Sequence, residues 1–295
     1  MKLALALFLI PSLACAQVGQ IVVAVVPTPG GGSCTGGYQG VADIASTSLV
    51  SYYALRGVSC AYSTGSNNAI QIQRASDNTT ANIKILASGA LDVATASTFC
   101  AATTCGIKTF YDQVGSNNLT QSTLADMEAL SFSCIGSLPC WTSNGSQWAE
   151  GGTGTLAQPL TVISVLNISS SAGDWVFGVN TIFATGNNTT TFQGYAGSTG
   201  GVPGVSLSAW HNTLVAFLNN GAADYYVDNL DNLNVITGSN SLPSPYDIGG
   251  LATGGASGAT FKMTELGLSS IAVTAGTYAS VCAQQAAYWG NGVTC

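Results

Sequence analysis

Cys100 to Gln121 reads C-A-A-T-T-C-G-I-K-T-F-Y-D-Q-V-G-S-N-N-L-T-Q, and this stretch decides the fold. It sets two cysteines five apart, then an apolar run suited to a strand (Ile107 to Tyr111), then a polar turn (Asp112 to Asn118). Asp112 suits the turn because an Asp side chain accepts from backbone N–H groups two residues on, and Gly115 is read as supplying a positive φ. Upstream, Ala69 to Arg74 alternates apolar and polar residues, the period of a half-buried strand.

The rest of the chain repeats that theme. Strands are expected at Leu160–Ile168, Trp175–Phe183, Gly204–Trp210, Thr213–Leu218, Asp224–Val227, Tyr246–Ile248 and Thr260–Leu268, separated by Gly, Asn, Ser and Thr clusters. Many short strands joined by turn chemistry predict a sandwich or barrel. Val179 to Gly201 is so rich in Thr, Asn and Gly that its strands are expected to be weakly registered. Two helices are predicted. Asp92 caps a short one ending at Phe99, and Ala275–Tyr288 forms a longer one between Thr274 and Gly290.

Composition narrows the function classes. The 295 residues carry 6 Lys and Arg, 13 Asp and Glu and one His, a net charge of −7. So few cations cannot neutralise a phosphate backbone, which excludes nucleic acid as a partner. An uncharged polar surface suits neutral ligands, sugars above all. Lys2, the apolar Leu3–Ile10 and Ala14-Cys15-Ala16 read as a signal peptide over residues 1–16, too short to span a bilayer. The chain is therefore expected outside the cell or in a periplasm, with lipidation at Cys15 as an alternative. Residues 17–37 read as a strand and flexible segment, P-T-P-G-G-G included, before a main domain over 38–295.

Outside Cys15, eight cysteines remain, an even number that implies disulfides in an exported chain. Their spacing pairs Cys100 with Cys105, Cys134 with Cys140, Cys282 with Cys295 and, by elimination, Cys34 with Cys60. No C-x-x-C occurs and His211 is the single histidine, so no zinc site is expected. No alternating Asp/Asn run marks a calcium loop, although Asp112 could serve one. No cofactor is implied.

Tyr53-Ala54-Leu55-Arg56, Gln73-Arg74-Ala75-Ser76-Asp77-Asn78, the Cys100/Cys105 pair and Tyr111-Asp112-Gln113 together resemble the catalytic domain of α-L-arabinofuranosidase B, over about Tyr52 to Gln121. Thr260 to Gly290 resembles more loosely the C-terminal end of laminin-G-like sandwiches. The resemblance implies an all-β, concanavalin-like jelly-roll sandwich with a short C-terminal helix. It also implies a neutral, arabinose-containing polysaccharide or glycan as partner.

The family's chemistry is harder to place. Retaining glycosidases need two carboxyl groups about 5–5.5 Å apart. The family's nucleophile strand falls on Gly204 to Asn212, with Trp210 where the Glu should stand and Ser208 where its neighbouring Asp should be. The family's acid closes an I-G-G-D turn, which here reads Ile248-Gly249-Gly250-Leu251, and the family's vicinal Cys-Cys is absent. No catalytic residue is therefore assigned. The expected function is a secreted carbohydrate-recognising domain that lacks the family's carboxylates. Two alternatives stay open: an active α-L-arabinofuranosidase with acids relocated to residues such as Asp174, Asp224 or Asp228, and a structural surface or virion-associated sandwich protein.

Candidate sugar contacts are Trp210, His211 and Asn212, together with Gly250 and Trp148. An aromatic face stacks on a sugar ring while His and Asn bond its hydroxyls. Trp210 could equally fill the core. Glu150, beside Trp148 in Q-W-A-E-G-G, is a weaker candidate, and Glu265 reads as structural.

Overall fold

The computed structural model describes residues 37–44, 47–152, 154–169, 174–179, 183–188, 190–250, 258–290, 292, 293 and 295. The expected signal peptide, Cys34, Leu251 and nearly all of the segment 17–37 lie outside these residues.

Among the described residues, alternating and β-branched runs become eighteen strands, and every pairing between these strands is antiparallel. One layer runs through β3 (Thr80–Lys84), β2 (Asn68–Arg74), β4 (Cys105–Phe110), β5 (Leu119–Thr120), β8 (Ala149–Gly151), β17 (Tyr246–Ile248), β10 (Asp174–Val179), β11 (Phe183–Asn188), β12 (Thr191–Tyr195) and β13 (Thr199–Pro203). The other runs through β1 (Leu49–Ala54), β18 (Thr260–Ser269), β9 (Leu160–Ile168), β14 (His211–Phe217), β15 (Ala222–Val227) and β16 (Leu230–Ile236). The β6 (Ala129–Ile135) and β7 (Leu138–Asn144) hairpin joins them, because β6 pairs with β4 and β7 with β18.

The sandwich core holds Ile70, Ile72, Phe110, Trp141, Phe177, Phe183, Phe217 and Ile248, among others. A second cluster lies on the outer face of the second layer, where α2 (Ala275–Trp289) packs Tyr278, Val281 and Cys282 against Tyr52, Ile163, Leu214 and Tyr226. That layer is thus covered on both faces, which is why all nine residues of β9 are buried. The Thr274 side chain caps α2 by accepting from Thr277 N–H. Asp92 caps α1 (Val93–Phe99) in the same way through Thr95.

Three expected disulfides are present: Cys100–Cys105, Cys134–Cys140 and Cys282–Cys295. Cys60 is also disulfide-bonded, as the expectation for it requires.

Three expectations need correction. Gly204–Trp210 is not a strand but a turn region, with Gly204 at φ +86° and Ser208 at +61°; the strand begins at His211. Trp175–Phe183 is two elements, the end of β10 and the start of β11. In the Thr/Asn/Gly-rich stretch, β11 with β12 and β12 with β13 keep regular register, while β11 shifts register against β10 between Trp175 and Phe177.

Candidate functional site

The Tyr111-Asp112-Gln113 motif turns out to clamp loops. Asp112 Oδ1 accepts from the N–H groups of Tyr52 (3.0 Å) and Val114 (3.1 Å), and Oδ2 accepts from Asn117 N–H (3.1 Å). Gln113 donates to the Ala54 and Arg56 carbonyls and accepts from Val58 N–H. Gly115 does not adopt the positive φ expected of it; its role is space, since a Cβ there would lie 3.0 Å from Asp112 Oδ2.

Glu265 is structural in the same sense. It sits on β18, fully buried, paired with Arg56 at 2.9 Å, and it accepts from the Tyr52 hydroxyl and the Trp289 indole N–H. Arg56 donates also to Gln284 (2.8 Å), and its guanidinium lies 5.0 Å from the centroid of the Tyr288 ring. This knot ties β1 and β18 to α2.

The predicted sugar contacts separate into two places. Trp210 is half-buried and packs against the sandwich core. His211 and Asn212 are buried. His211 Nδ1 lies 2.7 Å from Asp228 Oδ2, and Nε2 lies 2.7 Å from the Ser206 carbonyl. Both neighbours are acceptors, an arrangement that favours the imidazolium, the one form able to donate from both ring nitrogens. Burial opposes that charge, but the Asp228 carboxylate and the Ser206 carbonyl outweigh it and raise the imidazole pKa. Asn212 donates its side chain to Gln285 on α2 and its backbone N–H to Asp228 Oδ1 (3.0 Å). Both polar members of the trio are thereby engaged within the fold.

Trp148 and the Gly249–Gly250 turn come together elsewhere. Gly249, at φ +89°, approaches so closely that a Cβ would lie 2.3 Å from the Gln147 carbonyl, 3.0 Å from Trp148 Cα and 2.9 Å from Glu128 Oε1. Trp148 opens into a cleft of about 190 Å³ lined by Lys108, Thr109, Thr120, Gln121, Ser122, Trp148 and Glu150. Its backbone is fixed on both sides: Trp148 N–H donates to the Asp126 carbonyl (2.9 Å), and Gln121 Nε2 donates to the Trp148 carbonyl (3.2 Å). Lys108 reaches the cleft because β4 bulges there, with Ile107 opposite Ile72 and Thr109 opposite Gln71.

Beside Glu150, which lines this cleft, lie two buried acids that sequence reasoning missed, Asp247 and Glu128. Glu150 on β8 stands directly opposite Asp247 on β17 and, on its other side, opposite Thr120 on β5. Facing residues in an antiparallel pair hold their Cβ atoms about 4.5–5.5 Å apart. Asp247 is 1% exposed and Glu128 is fully buried. Neither Glu128 oxygen meets a hydrogen-bond partner outside its own residue, and Asp247 Oδ2 and Glu150 Oε2 have none. Burial, reinforced by the nearby Glu150, pushes the Asp247 carboxyl up to about 7. Burial also holds Glu128 well above the ordinary carboxylate range; its own backbone N–H opposes the shift and Asp247 adds to it. The signal available in the sequence was Glu150 beside Trp148. Nothing local to Glu128 or Asp247 announces that they meet. Among the described residues no group of His, Cys, Asp and Glu is arranged to hold a metal ion, and no helix is long and apolar enough to cross a membrane.

Residues 43–133 match the sequence model of the family described as α-L-arabinofuranosidase B, catalytic. α-L-Arabinofuranosidase B of Aspergillus niger is 49% identical over 63 residues, which is 21% of this chain and 13% of that protein. The Aspergillus kawachii (strain NBRC 4308) protein is 48% identical over 63 residues, with the same coverage. The matched stretch is thus a small part of these relatives. Among solved structures, a mutant GH54 α-L-arabinofuranosidase soaked with 4-nitrophenyl α-L-arabinofuranoside superposes with a TM-score of 0.64 at 18% identity, covering 80% of this chain and 62% of that one. An arabinofuranosidase complexed with arabinofuranosyl-α-1,2-xylobiose gives 0.63 at 20% identity, covering 87% and 66%. The chain therefore resembles the catalytic domain of arabinofuranosidase B and shares its sandwich fold.

Proposed function

We propose that this chain is an exported carbohydrate-recognising domain on an arabinofuranosidase-type sandwich, and that it holds a neutral, arabinose-containing glycan in the Trp148 cleft. The observation that carries this reading is the cleft itself. A half-buried indole with its backbone fixed on both sides stands among Thr109, Thr120, Gln121, Ser122 and Glu150. The indole face covers the apolar face of a sugar ring, and the hydroxyl, amide and carboxyl groups bond its hydroxyls. The disulfides speak for an oxidising compartment. Recognition is favoured over hydrolysis because no Asp or Glu lies between Asp174 and Asp224, where the family's nucleophile strand was sought, and because Asp247 is buried.

One observation supports hydrolysis as a second reading: Glu150 and Asp247 face each other across β8 and β17, so that two carboxyl side chains lie on the same face of the sheet. Calorimetry with arabinofuranosyl-α-1,2-xylobiose, beside turnover of 4-nitrophenyl α-L-arabinofuranoside, tests both. Binding without turnover supports recognition. Turnover abolished by Glu150→Gln would replace it with hydrolysis. Neither binding nor turnover from a folded sample would overturn both.

A further inference from the structure

Glu150 faces Asp247 across two strands, Glu128 lies near Asp247, and among the described residues no ion pair answers any of the three. Glu128 enters from the segment before β6, Glu150 from β8 and Asp247 from β17. The groups facing them from neighbouring strands are Thr120 on β5 and Gly178 on β10, neither of which titrates in this range. Lys108 on β4 lines the cleft, yet the ion pairs among the described residues are Arg56–Glu265, Arg74–Asp77 and His211–Asp228, so it is paired with none of the three. Asp126, two residues before Glu128, offers its backbone carbonyl to Trp148.

Buried like charges on neighbouring elements disfavour one another's ionisation. Four oxygens of these acids have no outside partner among the described residues, as expected of carboxyls without a fixed set of donors.

We propose that Glu128, Asp247 and Glu150 form one proton-sharing unit in which the two buried acids are positioning residues for Glu150, so that sugar binding in the cleft is linked to proton uptake. The inference rests on the carbohydrate reading for its ligand. A neutral sugar seated on Trp148 displaces water from Glu150 and raises the cost of its charge. Binding therefore favours the protonated unit, and by reciprocity protonation favours binding. The raised carboxyls of Asp247 and Glu128 agree with this direction.

The test has two arms. Titration of the side-chain carboxyls of the unliganded, ¹³C-labelled chain by NMR should show Asp247 changing state near neutrality. Glu150→Gln should lower the Asp247 midpoint. Three independent titrations in the ordinary carboxylate range would overturn the proposal whatever the ligand. In the second arm, calorimetry with arabinofuranosyl-α-1,2-xylobiose should show affinity about tenfold or more higher at about pH 5.5 than at about pH 8.5. Asp247→Asn and Glu128→Gln should flatten that profile. Equal affinity across the range would overturn the linkage and leave the carbohydrate reading standing. Coupled titration with no sugar binding at any pH would overturn the carbohydrate reading and the linkage with it.

Discussion

Burial raises the carboxyls of Glu265, Glu128 and Asp247 alike, but the partners they receive differ. Glu265 receives a guanidinium, a phenol and an indole N–H, and through them it fastens β1 and β18 to the C-terminal helix. Glu128 and Asp247 receive no cation and leave oxygens unanswered beside an open cleft. A satisfied buried acid holds a fold together. Unsatisfied ones cost stability, and such a cost is expected where a protein does something other than fold. The difference fits the proposed place of sugar binding at the Trp148 cleft.

The largest effect should come from breaking the satisfied site. Glu265→Gln strands the Arg56 charge in the interior and should destabilise the chain by about 3–5 kcal/mol in urea unfolding. Replacing both partners, Arg56→Met with Glu265→Leu, should recover most of that loss, since a well-packed apolar pair avoids the desolvation of two ions. A small loss for Glu265→Gln would erase the contrast between the two sites.

The unsatisfied site should respond with the opposite sign. The folded-state carboxyl of Asp247 is raised above its unfolded value, so the folded chain binds more protons, and stability falls as pH rises from about 4 to about 7. Asp247→Asn removes that dependence. At about pH 8 it should be more stable than the parent by about 1–2 kcal/mol, after allowance for solvent screening near the cleft, with no gain at about pH 4. Unfolding curves at the two pH values check this.

His211 adds a limb at higher pH. Its folded-state pKa is raised, so its contribution is complete below the unfolded value of about 6.5 and is lost as pH rises through the folded one. The effect should be about 1 kcal/mol, and His211→Gln should flatten this upper limb alone. The smallest change in stability belongs to Trp148→Ala. This half-exposed side chain should cost about 1 kcal/mol or less on removal while sugar binding is lost, a split read by pairing unfolding with calorimetry.

What the sequence disclosed follows the range of the interactions. Asp112 was legible as a turn former because Val114 and Asn117, which it binds, lie two and five residues on, whereas the partners of Gln113 lie 55 to 59 residues away and were not. The helix caps and the short-range disulfides were legible for the same reason. Gly204 to Trp210 misled because Val205, Leu207 and Ala209 alternate with Ser206 and Ser208 as a strand would; positive φ at Gly204 and Ser208 turns the chain instead. His211 and Asn212 looked free to meet a ligand because Asp228 and Gln285, which engage them, arrive from distant elements. The acid unit was hidden likewise, since the pairing of β8 with β17 that sets Glu150 against Asp247 has no local signature.

The most direct measurement of the central claim is the ¹H–¹⁵N spectrum of the oxidised chain titrated with arabinofuranosyl-α-1,2-xylobiose. Saturable shifts are expected at the Trp148 indole N–H and at the amides of Lys108, Thr120, Gln121 and Glu150, with the Trp210 indole unmoved. Shifts centred on Trp210, or a folded chain whose spectrum does not respond, would contradict that claim.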